Sequence, residues 1–235
     1  GGNDITLTFS AIAESTAQTV VVNASSITQA DVDLNIANLA ATTTTTFNIT
    51  SGAGEDGLAG SRGNDTLSSG GGNDTLQGSF GADSLSGGAG TDVFLVSTVS
   101  DQTAADSIDG GTGNDTITFD GNGAIIAEFD MDVISNVTAF NNGANRAGNR
   151  SITFSPVTET QTNPLVLDLA NSGAGIAITN NANSSTTTFT ITSGSSKDTL
   201  VGSNGVDTLD GNDEADTLNG GAGNDVFLFN TGDVD

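Results

Sequence analysis

The sequence predicts an all-β fold in which stretches of parallel β-coil alternate with irregular β-rich segments. Glycine, aspartate and a large apolar residue recur every nine residues in two arrays, and nine residues suit one short strand and one tight turn. The rest of the chain is rich in Thr, Val, Ile, Asn and Ser, and it contains alternating runs such as TFNIT and LVLDLA, which favour strands over helices. A short helix is the alternative at 27–40, where a polar start is followed by early acidic residues.

The repeat is defined by glycines, frequent at its first, second and fourth positions, by aspartate at the sixth and by a large apolar residue at the eighth. The first array has five copies, whose sixth and eighth positions are Asp56, Asp65, Asp74, Asp83 and Asp92 and Leu58, Leu67, Leu76, Leu85 and Phe94. A short pair follows, with Asp106 and Asp115 before Ile108 and Ile117. The second array has four copies, with Asp198, Asp207, Asp216 and Asp225 before Leu200, Leu209, Leu218 and Phe227.

A longer period indicates two copies of one compound module. TTTTTFNITSG at 42–52 matches STTTFTITSG at 185–194, and GGAGTDVFLV at 87–96 matches GGAGNDVFLF at 220–229. The opening GGNDITLTF resembles GTGNDTITF at 111–119, so the chain is interpreted as a segment that follows an upstream repeat. The predicted domains are a β-rich segment at 1–46, the first array with the short pair at 47–118, a β-rich insert at 119–188 and the second array at 189–235.

Composition excludes several classes of site. The formal charge is −25, from 29 acidic and 4 basic residues, which argues against nucleic-acid and acidic-membrane partners. The chain lacks Cys and His, so disulfides and the usual zinc, copper and haem ligands are absent, whereas oxygen ligands suit calcium, magnesium or manganese. No apolar run is long enough for a membrane span.

No catalytic motif is visible, so we expect no enzymatic activity. In the catalytic alternative, an acid and a base would come from among Glu128, Asp130 and Asp132. An exposed acidic strand is the favoured interpretation of this stretch.

Two repeats would make one full 18-residue turn of the coil, called a rung. Residues 18 apart then stack at the strand spacing of about 4.8 Å. Leu58 would then stack on Leu76 and Phe94. Stacked bare carboxylates would repel by roughly 3 to 4 kcal/mol at an effective dielectric near 20. A divalent cation between the turns reverses the sign of this interaction, and calcium accepts carboxylates and carbonyls together. The glycines are therefore expected to form the turns, the aspartates to hold the ion and the leucines to fill the core.

These nonapeptides resemble the RTX repeats of proteins exported by bacterial type I secretion, whose pattern is GGxGxDx followed by a large apolar residue. The resemblance implies a parallel β-roll with calcium in its turns, several ions in all, bound by the sixth-position aspartates and by carbonyls of the turn glycines. The implied aspartates are Asp56, Asp65, Asp74, Asp83, Asp92, Asp106, Asp115, Asp198, Asp207, Asp216 and Asp225. The implied glycines are Gly52, Gly54, Gly63, Gly70, Gly72, Gly81, Gly88, Gly90, Gly111, Gly113, Gly205, Gly221 and Gly223.

Departures from the pattern weaken some of these sites. Ala104 replaces the fourth-position glycine before Asp106, and Glu214 and Ser196 replace glycine in the second array. Serine replaces the second-position glycine of the repeat in three copies, at Ser61, Ser79 and Ser203. Glu214 would either add a ligand or block its turn, and fewer or weaker sites are expected in the second array.

Three functions are compatible with RTX repeats. The first is an extracellular structural protein on the bacterial cell surface, which calcium folds and assembles with other copies of itself into a surface layer, filament or matrix, with cell-surface polysaccharide as a further partner. The second is an adhesin segment that binds a glycan or cell, with its site at 120–183, where Arg146 and Arg150 add positive charge. The third is the carrier domain of a type I secreted hydrolase or toxin.

Overall fold

The computed structural model of the chain describes residues 5–9, 19–28, 34–38, 45–96, 106–119, 125–129, 134–142, 150–154, 165–170, 175–180 and 187–230. Every regular element in these ranges is a strand. They are β1 (Ile5–Phe9), β2 (Thr19–Asn23), β3 (Leu34–Asn38), β4 (Thr46–Thr50), β5 (Gly57–Ala59), β6 (Thr66–Ser68), β7 (Thr75–Gln77), β8 (Ser84–Gly90), β9 (Val93–Val96), β10 (Ser107–Gly113), β11 (Asp115–Phe119), β12 (Ile125–Phe129), β13 (Ile134–Ser135), β14 (Val137–Asn142), β15 (Arg150–Phe154), β16 (Leu165–Asp168), β17 (Ile176–Asn180), β18 (Phe189–Thr192), β19 (Thr199–Val201), β20 (Thr208–Asp210), β21 (Thr217–Asn219) and β22 (Val226–Leu228).

The chain divides into two compact units. Unit 1 comprises Gly1–Val96, Ser100–Thr116 and Ser135–Val137, and unit 2 comprises Ser97–Val99, Ile117–Ile134 and Thr138–Asp235. In unit 1 successive strands alternate between two parallel sheets, one ordered β1-β3-β5-β7-β9 and the other β2-β4-β6-β8-β10. In unit 2 the sheets are β14-β16-β18-β20-β22 and β12-β15-β17-β19-β21. The predicted parallel β-roll architecture is therefore confirmed.

The register of the first array follows from its period. Leu58 pairs with Leu76, and Leu76 pairs with Phe94, each 18 residues on. On the other sheet Leu67 pairs with Leu85. Each of these strands turns its apolar residue inward and exposes or half-exposes its neighbours, as the burial of Leu67 between Thr66 and Ser68 illustrates. The predicted stacking is confirmed. The core is thin at β5, β6 and β7, which each bury one large apolar residue, whereas β4 and β9 each bury two.

The β-rich insert uses the same parallel pairing with longer connections. Ile152 pairs with Ile178, 26 residues on, and Leu167 pairs with Ile191, 24 residues on, whereas Ile191 pairs with Leu209 at the array spacing of 18. The insert strands thus form further rungs of the coil, because extra residues are accommodated in the connections without changing the strand register.

The short helix considered as an alternative at 27–40 is wrong where the structure describes this stretch. Its second half contains β3, in which Asn35 pairs with Gly57 and Ile36 with Leu58. Pairing with β1 and β5 satisfies the backbone groups of β3 on both sides, so tertiary contacts override the local helix signal. Within the described ranges there is no helix with the length and hydropathy that a membrane span requires.

Candidate metal centre

The repeat aspartates lie at the end of each turn, immediately before a strand, and most are buried. Asp65 and Asp74 are 1% exposed and Asp92 is 0% exposed. The other buried members of the predicted set are Asp56, Asp83, Asp106, Asp115, Asp198 and Asp207, and the two that are half-buried are Asp216 and Asp225. A buried carboxylate requires hydrogen bonds or a cation, because desolvation penalises its charged form.

One oxygen of most of these carboxylates joins a ladder that runs between rungs. The backbone N–H of Asp56 donates to Asp74 Oδ1 at 2.7 Å, that of Asp74 to Asp92 Oδ1 at 2.9 Å, and that of Asp92 to Asp115 Oδ1 at 2.8 Å. The second array repeats the pattern, with Asp198 N–H donating to Asp216 Oδ1 at 2.9 Å and Asp207 N–H to Asp225 Oδ1 at 3.0 Å. The structure therefore brings the predicted aspartates together in columns.

Asp106 joins the same ladder despite its irregular turn. The backbone N–H of Asp83 donates to Asp106 Oδ1 at 2.8 Å, across a separation of 23 residues. Residues 101–105, which include Ala104, lie outside the described ranges.

The second carboxylate oxygen has no hydrogen-bond partner in several turns. Oδ2 of Asp74, of Asp92 and of Asp198 is buried without a partner. Burial raises the pKa of Asp74 to about 7, against the lowering effect of the Asp56 N–H, and the charges of Asp92 and Asp56 raise it further. Burial likewise raises the pKa of Asp92, with the Asp115 charge adding to the rise, and burial raises the pKa of Asp198. Such oxygens present negative charge to the turn with nothing to neutralise it.

Beside Asp92 the first-position glycine leaves space at this oxygen. A Cβ built on Gly87 would lie 2.2 Å from Asp92 Oδ2 and 2.7 Å from the Gly110 carbonyl oxygen of the next rung. A carboxylate oxygen and a carbonyl oxygen thus face one small space, which a side chain at Gly87 would fill.

The second- and fourth-position glycines form the turns in a left-handed conformation. In the turn before Asp92, φ is +96° at Gly88 and +142° at Gly90. The predicted glycines that share a positive φ are Gly70, Gly72, Gly81, Gly111, Gly113, Gly221 and Gly223. The carbonyls of Gly52 and Gly70 accept hydrogen bonds from the N–H groups of Gly71 and Ala89, both at 2.9 Å, which stack the turns. The ligand role of the glycine carbonyls remains a prediction.

The comparisons with known proteins agree with this geometry. A family model described as the RTX calcium-binding nonapeptide repeat matches four times, at residues 48–67, 68–102, 98–122 and 192–227. The chain carries RTX calcium-binding nonapeptide repeats. No curated protein and no solved structure shows a significant match to it. The RTX repeats are calcium-binding repeats, and proteins that carry them are typically secreted.

The donor atoms of the RTX turns fit calcium. In the part of the chain that the structure describes, no three acidic side chains converge on one point, so a cation there needs backbone carbonyls beside its carboxylate. Calcium accepts such a mixed set of oxygens with flexible geometry. When bound, it supplies positive charge to buried carboxylates, and Asp92 Oδ2 with the Gly110 carbonyl is the clearest pair to hold it.

Sequence reasoning missed the first-position glycines as part of the site. Their signal was present, since glycine recurs there in most repeats, but the ligand assignment used only the second and fourth positions. Serine at the first position fills the space differently. Ser51 Oγ donates to the Ser69 carbonyl and Ser69 Oγ to the Gly87 carbonyl, both at 2.7 Å.

The departures from the RTX pattern do not prevent turn formation. Glu214 adopts φ +76° and Ser79 φ +75°, in the left-handed region that glycine adopts at these positions in other repeats. The expectation that Glu214 could block its turn is therefore wrong. A non-glycine residue in this conformation is strained by roughly 1–2 kcal/mol.

The catalytic and adhesin alternatives rest largely on undescribed residues. Asp130, Asp132 and Arg146 lie outside the described ranges, and Glu128 lies in β12.

In the calcium-free protein we expect stability to fall as the pH rises from about 4 to about 7. The folded-state pKa of Asp74 is about 7, against an unperturbed value of 3.8, so over this window the folded chain binds more protons than the unfolded chain. The stabilising effect of the proton is fully present below the unfolded pKa and is lost as the pH rises through the folded pKa. Calcium affinity should rise over the same window, since the ion competes with the proton. Far-UV circular dichroism in EGTA, repeated at intervals from pH 8 down to pH 4, measures the first effect. Part of the β signal that is lost in EGTA at neutral pH should return as the pH falls, and a β signal that grows as the pH rises would contradict the prediction.

Proposed function

We propose that the chain is part of a secreted structural protein of the bacterial cell surface, which calcium folds and assembles with other copies into a layer, filament or matrix. It has no catalytic activity in this role, and cell-surface polysaccharide is its anchoring partner. The observation that carries the proposal is the presence of RTX arrays in both compact units, each within one copy of the repeated module.

Both arrays bury carboxylates that need a cation. Oδ2 of Asp92 in unit 1 and of Asp198 in unit 2 is buried without a hydrogen-bond partner. Calcium bound at such turns would stabilise the folded state of both units, because it neutralises the buried charge. A chain of this kind would fold where calcium is plentiful, which supports an extracellular structural role.

The test is a calcium titration of the purified chain, followed by circular dichroism and light scattering. Calcium is expected to increase both the β signal and the particle size. Sodium chloride at matched ionic strength is the control, because it screens the acidic surface without coordinating carboxylates, and it should produce neither change.

A β signal that grows while the particle remains monomeric would contradict assembly and would favour an adhesin segment or a carrier domain.

A further inference from the structure

The RTX turns of this chain occur in two conformations. In the open turns before Asp74 and Asp92, the second and fourth residues are left-handed, with φ of +96° and +116° at Gly70 and Gly72 and +96° and +142° at Gly88 and Gly90. In the closed turns before Asp65 and Asp207, none of the corresponding residues has a positive φ; these are Ser61, Gly63, Ser203 and Gly205.

The closed turns satisfy both oxygens of their aspartate from the backbone. Asp65 Oδ1 accepts the N–H of Phe47 at 2.6 Å, and Asp65 Oδ2 accepts the N–H of Ser61, the second residue of its own turn. In the second array, Asp207 Oδ1 accepts the N–H of Phe189 at 2.7 Å, and Oδ2 accepts that of Ser203 at 2.5 Å. A carboxylate that accepts several backbone N–H bonds is stabilised in its charged form without a cation.

A serine hydroxyl fixes each closed turn. Ser203 Oγ donates to the Thr187 carbonyl at 2.6 Å and accepts the N–H of Gly205 at 2.8 Å. Ser61 Oγ likewise donates to the Thr45 carbonyl and accepts the N–H of Gly63 at 3.2 Å. Both acceptor carbonyls belong to the Thr-rich runs that precede the arrays. Ser79 has the same position in its repeat but takes the open conformation, so the closed turn depends on the preceding Thr-rich run as well as on serine.

The open turns leave one oxygen unsatisfied. Asp74 and Asp92 are 1% and 0% exposed, and Oδ2 of each has no hydrogen-bond partner. A buried acceptor with no partner is destabilising, and more so when it carries charge. A cation beside this oxygen removes that penalty, whereas a cation at Asp65 would add little to a carboxylate whose two oxygens are already bonded.

We propose that the closed turns at Asp65 and Asp207 are metal-free and that calcium binds at the open turns, at Asp74 and Asp92 in the first array. In each array the second copy is therefore held by serine and backbone hydrogen bonds. In the first array the calcium-binding turns follow this copy.

The test compares the calcium bound per chain in Asp→Asn variants of the full chain, measured by equilibrium dialysis at saturating calcium. Asp92→Asn should lower bound calcium by about one ion per chain, because the amide removes the charge of the ligand. Asp65→Asn, the matched control at a closed turn, should bind as much calcium as the parent chain. Circular dichroism in calcium establishes that each variant is folded.

Asp74→Asn and Asp207→Asn provide a second pair should either first variant fail to fold. The proposal would be overturned if the closed-turn variants lost as much calcium as the open-turn variants. It would also be overturned if the open-turn variants lost none.

Discussion

Removal of calcium is expected to abolish the β structure of this chain. The array strands β5, β6 and β7 each bury a single large apolar residue, and the chain carries a formal charge of −25. A ligand present at ten times its Kd stabilises the folded state by about 1.4 kcal/mol per site, so four sites contribute about 6 kcal/mol. This is comparable with the whole stability of an ordinary domain, about 5–15 kcal/mol. Far-UV circular dichroism in EGTA, followed by the return of excess calcium, should show loss and recovery of the β signal.

Two controls separate ligand binding from screening. Sodium chloride at matched ionic strength screens the acidic surface but does not coordinate the buried carboxylates, and it should restore little β signal. Magnesium should be weaker than calcium, because it demands near-octahedral geometry and dehydrates reluctantly. A β signal that is complete in EGTA and unchanged by calcium would show that the aspartate columns do not need the ion.

The strand register could be predicted from the sequence because the repeat length is constant within each array. A fixed nine-residue spacing puts Leu58, Leu76 and Phe94 in one column, and a one-residue slip would turn every apolar residue outward. The same spacing placed the aspartates in columns. The fold of the arrays could therefore be predicted from a single sequence.

The strand pairing in the β-rich insert could not be predicted in this way. Ile152 and Ile178 are paired although no fixed period relates them, because the long connections leave the separation free. The error at 27–40 has a related cause. The helix signal there is local, while the partners of β3, which are β1 and β5, lie elsewhere in the chain.

The sequence predicted that the repeat aspartates form the candidate site. It did not predict which of their Oδ2 atoms are already hydrogen-bonded and which are without a partner. The sixth-position aspartate is the same in every repeat, so the sequence cannot distinguish Asp65 from Asp92. The difference arises from which backbone N–H groups reach Oδ2, and that depends on the turn conformation and on the preceding Thr-rich run. The first-position glycines were missed for the same reason, since their role is the space beside Asp Oδ2.

Replacement of Gly72 by alanine is expected to destabilise the calcium-bound chain by about 3 kcal/mol or more. Gly72 has φ +116°, a conformation that costs an L-residue at least about 1–2 kcal/mol. The added Cβ would also lie 2.0 Å from the Gly54 carbonyl oxygen and 2.6 Å from its carbon. Both atoms are backbone of the preceding rung, so the overlap can be relieved only by moving one turn away from the next. Urea denaturation in saturating calcium measures the loss.

Gly71 is the matched control because it is the neighbouring residue of the same turn. A Cβ there would meet nothing nearer than the Ala89 carbonyl oxygen at 3.8 Å, and Gly71 does not have a positive φ. Its N–H bond to the Gly52 carbonyl would be kept by alanine. Gly71→Ala should therefore be neutral or stabilising by up to about 1 kcal/mol, because alanine restricts the unfolded chain. Equal losses for the two variants would mean that the turn tolerates no side chain for reasons of general crowding. A large loss for Gly72→Ala alone would show that left-handed φ and close stacking of the turns fix glycine at the fourth position.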